Sequence, residues 1–229
     1  MTARALSSRT TVVAVLVLVG LLVWAVGWTS LLSVREVVVE GPPSVSAADV
    51  RRAAGDLGGV PLARVDLGAI EARVEQLPAV AGATVTRSWP ATVRVVVVAR
   101  VPVVAIKSTD GVALVDSSGA VARTVASPPP GLPLLRTGGS AAADQEARTP
   151  QALAAISVVA TLPADLRTKV VAAGAVGPED VRLTLLGGAV VRWGGTGEGS
   201  LKSSVLRALL KQPAKVYDVS APLLPTTRS

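Results

Sequence analysis

The chain has 229 residues, enough for a membrane anchor plus one large or two small domains, and its 23 basic against 16 acidic side chains leave it at +7. Histidine and cysteine are both absent, which excludes Ser-His-Asp and Cys-His catalysis and any disulfide framework. Phenylalanine is also missing and Tyr217 is the one tyrosine, so the core must be built from Val, Leu, Ala and Ile; the scattered arginines and scarce aromatics argue against nucleic-acid binding.

From Thr10 to Ser33 the sequence is apolar, with no ionisable side chain between Arg9 and Arg35. As a helix this run reaches about 35 Å at about 1.5 Å per residue, against a hydrocarbon core of about 30 Å, so a single span is expected. Trp24 and Trp28 fall toward its C-terminal end, where amphipathic rings favour the interface. Two readings compete: a cleaved signal peptide, with Ala25-Val26-Gly27 as a cut site, and a buried core helix, against which the length without charge argues. Apolar character continues through Leu31 and Leu32, however, past the about 7 to 15 residues of a signal core. Arg4 and Arg9 precede the run while Glu36 offsets Arg35, so the positive-inside rule puts the N-terminus in the cytoplasm and everything from Val34 outside.

Beyond the span, Val37 and Val39 alternate with Glu36 and Glu40 in a predicted strand that ends at Gly41-Pro42-Pro43. A helix is predicted from Ser46 as N-cap to Gly55 as terminator, and a second from Asp66 to Gln76 with Leu67, Ile70, Val74 and Leu77 inward. Residues 79–89 are extended, Pro90-Ala91 turns, and residues 92–101 form the strongest predicted strand, with Val93, Val95, Val97 and Ala99 on one face. This order predicts two helices on one face of a three-stranded sheet.

After Pro102 short strands are predicted at 103–107, 111–116, 119–124 and 132–135, with a loop over 138–149. A helix over 150–162 is expected to turn Leu153, Ile156 and Val159 inward. Strands follow at 170–175, 181–186 and 190–193, then a helix over 200–211 and a last strand over 215–220.

The run Val-Glu-Gly41, the helix ending Leu77-Pro78, Arg87-Ser88-Trp89-Pro90 and Arg100-Val101-Pro102-Val103 together resemble the POTRA domain of the FtsQ/DivIB family of bacterial division proteins. Val181-Arg182-Leu183, Val191-Arg192-Trp193-Gly194, Lys202 and Val216-Tyr217-Asp218 resemble its second, β domain. One departure is Ala99, where the family commonly has an acid before the arginine. The expected fold class is therefore α+β: cytoplasmic tail 1–9, transmembrane helix 10–33, POTRA domain (β-α-α-β-β) 34–102, a mixed β-rich domain with two or more helices 103–220, and a tail 221–229. The resemblance implies a non-catalytic, single-pass scaffold at the division septum, with its N-terminus in the cytoplasm and its partners of the FtsB/FtsL type. It implies no cofactor, metal or small-molecule substrate.

The residues give chemistry little to work with. Lys107-Ser108 and Lys202-Ser203 are adjacent, so their side chains diverge and a Ser-Lys dyad is not preset; solvated surface is expected for both. Asp110 and Asp116 read as turn residues that bond their own backbone. An exported hydrolase and another POTRA-type export component stand as alternatives, the latter requiring repeated units and a barrel.

A scaffold of this kind can recognise partners through a free sheet edge. The expected edge is the last strand, with Lys215, Val216, Tyr217, Asp218, Val219 and Ser220 as partner-binding residues and Tyr217 as an anchor. Tyr217 packing instead on the 200–211 helix is the competing reading, and the resemblance favours the edge. On that view Val219→Pro should remove a donor from a partner ladder. The POTRA strand edge is the next candidate.

Overall fold

The computed structural model describes residues 12–21, 32–136 and 142–228, and the chain divides into two units between Ala99 and Arg100. Residues 12–21 are helical (α1), with the side chains of Val12, Val13, Leu16 and Leu21 more than half exposed. Among the described residues no helix is long and apolar enough to cross a membrane. Thr10, Trp24 and Trp28 lie outside the described residues. Ser33, expected as the last residue of the span, instead belongs to the first unit: it bridges Pro61, is buried, and is followed by the buried Val34. Backbone bonds from Val34 to Val60 and from Gly59 to Val34 hold this segment there.

The first unit contains β1 (Glu36–Glu40), α2 (Ala47–Ala54), a 3-10 turn (Leu62–Arg64), α3 (Leu67–Glu75), β2 (Val80–Ser88) and β3 (Thr92–Ala99). Ser46 caps α2 by accepting from the Asp49 amide, and Asp66 caps α3 by accepting from Ala69. Gly55 ends α2 at φ 84°, a conformation that side chains resist. The sheet order is β1-β3-β2, with β3 parallel to β1 and antiparallel to β2. Alternation along β3 buries Val93, Val95 and Val97 with Val50 and Ala54 of α2 and Ile70 and Val74 of α3, while Val96 and Val98 stay exposed on the other face. The helices therefore cover one face alone.

The second unit opens with β4 (Pro102–Ser108), β5 (Gly111–Asp116), β6 (Val121–Val125) and β7 (Leu134–Arg136). It continues through α4 (Ala143–Ala147), α5 (Pro150–Thr161) and α6 (Ala164–Arg167) to β8 (Val170–Ala175), β9 (Val181–Leu185) and β10 (Val190–Gly194). Last come α7 (Gly199–Leu209), β11 (Val216–Asp218) and β12 (Thr226–Arg228). These strands form one sheet in the order β12-β11-β10-β9-β8-β7-β4-β5-β6. Its core joins Ile156, Val158 and Val159 of α5 and Leu206 of α7 to Val181, Leu183, Val191 and Trp193 of the sheet.

Three expectations need correction. Leu153 is not inward but 36% exposed, because the buried stripe of α5 runs through Ala152, Ala155, Ile156 and Val159. Part of the 138–149 stretch read as loop is the short helix α4, which buries Ala143 and Ala147. The segment read as a tail after Ser220 contains β12.

Candidate partner-binding surface

β11 is an interior strand. On one side it runs parallel to β10, pairing Val216 with Val190, Tyr217 with Val191 and Asp218 with Arg192. On the other it pairs antiparallel with β12, Val216 facing Arg228 and Asp218 facing Thr226. The expectation that Lys215 to Ser220 forms the free edge is thus corrected: the chain after Pro222 returns and covers it.

Which backbone groups face which way follows from the ladder. Val190 donates to the Lys215 carbonyl, and Val219 donates to Arg192, both at 2.9 Å. Directions alternate along a strand, so Val216 and Asp218 turn their amides and carbonyls toward β12. The amide of Val219 belongs to the β10 ladder and faces no partner, which overturns the role expected for Val219→Pro.

Tyr217 is buried, 4% exposed, within the apolar core. Its hydroxyl donates to the Gln212 carbonyl at 2.9 Å and accepts from the Ala214 amide at 3.0 Å, fastening the turn after α7. Burial of the ring gains more than exposure would, and both hydroxyl functions are satisfied. Tyr217 is a structural strut, not an exposed anchor. Val219 is also fully buried, Lys215 and Ser220 are exposed, and Val216 and Asp218 are half-buried.

The outer face at this end of the sheet is polar. Arg182, Arg192, Asp218 and Thr226 are cross-strand neighbours in one row, and a shallow hollow is lined by Arg192, Val216, Asp218, Thr226 and Arg228. Burial pushes the Asp218 carboxyl up, but hydrogen bonds from the Ser220 hydroxyl and amide, with the charges of Arg192 and Arg228, hold it below the usual range. The Arg192–Asp218 separation is 3.6 Å. Gly194 closes β10 at φ 76°, where an added Cβ would lie 2.9 Å from that of Ser220. That close approach seats the end of β11.

The edges of the first unit are plugged by side chains. Outward donors of β2 at Ala83 and Val85 are taken by Glu75 and Glu71 of α3, and the Val37 carbonyl of β1 by Arg51 of α2. Such plugs oppose the addition of another strand.

No catalytic arrangement emerges from the lysine-serine pairs. Lys202 and Ser203 are buried rather than solvated: the Lys202 ammonium donates to the Gly195 carbonyl at 2.9 Å and lies 6.0 Å from the Trp193 ring centre, and the Ser203 hydroxyl donates to Gly199. Both serve the β10–α7 connection. Asp116 accepts from Ser118 and Ala120 in its turn, as expected, and its other oxygen receives Arg100 at 2.7 Å. Arg100 thus finds its acid across the β4–β5 hairpin, where Ala99 offers none. Among the described residues no group of three or more acids could hold a metal ion.

A family model of the FtsQ-type POTRA domain matches residues 32–100, and one of the C-terminal region of the cell division protein FtsQ/DivIB matches residues 104–220. The chain belongs to the FtsQ/DivIB family. It is 38% identical to the cell division protein FtsQ of Mycobacteroides abscessus over 88% of this chain and 63% of that protein. Against FtsQ of Mycobacterium tuberculosis the identity is 36% over 93% of this chain and 67% of the other, and against that of Streptomyces collinus 34% over 98% and 89%. The chain spans about three fifths of the length of the first curated relatives it matches. The junction between the two family models falls at residues 100–104, beside the division of the chain into two units.

Proposed function

We propose that this chain is a non-catalytic scaffold of the division machinery, held in the cytoplasmic membrane by residues 10–33 with its N-terminus inside. Its two folded units act outside the membrane, and its partners are other single-span division proteins of the FtsB/FtsL type. The observation that carries this reading is the succession, in one chain, of a charge-free apolar run, a POTRA unit and the family's C-terminal unit. The partner surface is the β11–β12 side of the second sheet, where β12, paired to Val216 and Asp218 and exposed along its three residues, is the outermost strand that a partner strand can extend.

Affinity purification of the full chain from detergent-solubilised membranes tests it, beside Val216→Pro, which removes an amide facing away from β10. Single-span division proteins should co-purify with the first, and their recovery should fall at least tenfold with the second while circular dichroism is unchanged. Full recovery by a folded Val216→Pro variant would move recognition to another surface.

A further inference from the structure

The chain enters the first unit at one defined end of its sheet. Ser33 bridges Pro61, Val34 donates to the Val60 carbonyl at 2.9 Å, and the Arg35 amide donates to the Ala91 carbonyl at 2.8 Å. β1 then runs parallel to β3 from the pair Glu36 and Thr92, so the turn between β2 and β3, residues 89–91, lies beside the point of entry. The Leu62 and Val65 carbonyls come to the same end, where they receive the Arg87 guanidinium at 2.9 and 2.7 Å. Because Ser33 and Val34 are already buried, no free linker separates Leu32, the last residue of the apolar run, from the folded unit. An anchor ending there holds this end of the sheet against the membrane surface.

At that end an indole stands in the open. Trp89 is 52% exposed, whereas Trp193 and Tyr217 are buried. Its amphipathic ring favours the boundary between hydrocarbon and head groups, where the apolar body leaves water and the N–H keeps a partner. The charges around it decide what kind of surface it meets. Arg35, Arg64 and Arg87 are exposed there, and so are Glu36, Asp56 and Asp66, so the signs balance and the ring, not attraction to anionic lipid, carries the contact.

We propose that Trp89 is a second membrane contact of this chain, the β2–β3 turn seating its indole at the head-group boundary of the leaflet that faces the folded units. This inference rests on the reading of residues 10–33 as an anchor. Two attachments, the chain and the ring, then hold the first unit in one orientation on the bilayer, where a single tether would leave it free to turn.

The full chain reconstituted into phosphatidylcholine vesicles tests this, with Trp24→Phe and Trp28→Phe so that only Trp89 and Trp193 emit. Insertion is read first, by resistance to alkaline carbonate. Loss of the chain from the vesicles fails the anchor reading, and this proposal with it. With the chain retained, lipids brominated near the head-group end of the acyl chains should quench at least a quarter of the emission, and lipids brominated near the acyl terminus at least twofold less. Absent quenching, or the reverse order, overturns the proposal while the anchor stands. Adding Trp89→Phe should abolish the effect, since Trp193 is 1% exposed; quenching that persists assigns it elsewhere and overturns the proposal. Blue-shifted emission that is indifferent to bromine shows a ring covered by protein, a second copy included, and overturns it too. Phosphatidylglycerol in place of a third of the lipid should leave the quenching unchanged; quenching that appears only with it overturns a contact carried by the ring. Should the phenylalanine background fail to fold, a nitroxide on Ser88→Cys replaces it, the chain having no cysteine of its own. That label should be reached by oxygen and shielded from a water-soluble nickel chelate, and free access of the chelate overturns the proposal.

Discussion

At the scale of single residues, the buried polar groups of the second unit do structural work. Lys202 carries a charge into a site 4% exposed, where its contacts are the Gly195 carbonyl and the Trp193 ring. Lys202→Ala leaves that carbonyl without its donor and empties the space of a buried side chain, so a loss of about 1–3 kcal/mol is expected in thermal unfolding of the two folded units. Asp116 and Glu146 respond to pH in opposite directions. Burial pushes Asp116 up, but Ser118, Arg100 and the amides of Ala120 and Ser118 outweigh it and leave its pKa below the ordinary 3.8. Its contribution is present above 3.8 and is lost as pH falls through the lower folded value. Arg100→Ala should therefore shift acid unfolding of the second unit to higher pH, monitored by Trp fluorescence. Glu146 is raised above 4.5 by burial alone. It costs stability increasingly as pH rises from 4.5 through its folded value, and the cost then stays constant. Glu146→Gln should raise the melting temperature near neutral pH and have less effect in acid.

At the scale of elements, β3 is the centre of the first unit because it pairs on both sides and carries three fully or nearly buried valines. Val95 faces Val39 and Val85 and is fully buried, so Val95→Ala should cost about 1–3 kcal/mol, and Val95→Asp should unfold the unit. Its alternation made this strand legible in the sequence, as did the caps Ser46 and Asp66 for the helices. α4 and α6 were not legible, since five and four residues are too few to show a period. β12 escaped for another reason: Thr-Thr-Arg carries no apolar alternation, and a strand whose three residues are all exposed leaves no hydrophobic pattern in the sequence. That omission displaced the candidate site. With nothing to cover it, Lys215 to Ser220 read as an edge, and Tyr217 as an anchor, whereas the tyrosine's burial depends on contacts far apart in the chain. Val219→Pro now carries a different expectation. It breaks a bond to Arg192 inside the sheet, and circular dichroism should show loss of folded structure in the second unit.

At the scale of the whole molecule, charge and hydropathy decide how the proposed anchor would lie. Arg4 and Arg9 precede the apolar run, and Arg35 after it is balanced by Glu36, so the charge bias of these residues favours a cytoplasmic side before the proposed anchor. The start of the first unit limits the span on the other side. Ser33 and Val34 are buried against the 59–61 segment, so residues that enter the bilayer must end before them. An anchor ending there runs from Thr10 to Leu32, which as a helix at about 1.5 Å per residue reaches about 34 Å and spans a hydrocarbon core of about 30 Å with a modest tilt. Protease added to intact spheroplasts should then digest both folded units and leave only a fragment containing the apolar run. A reporter cysteine is available for an independent reading, because the chain has none of its own. Ser7→Cys should resist a membrane-impermeant maleimide until the membrane is opened, whereas Ser108→Cys should label at once. Labelling of Ser7→Cys in intact cells, or protection of Ser108→Cys, would reverse the topology and with it the placement of both units outside the membrane.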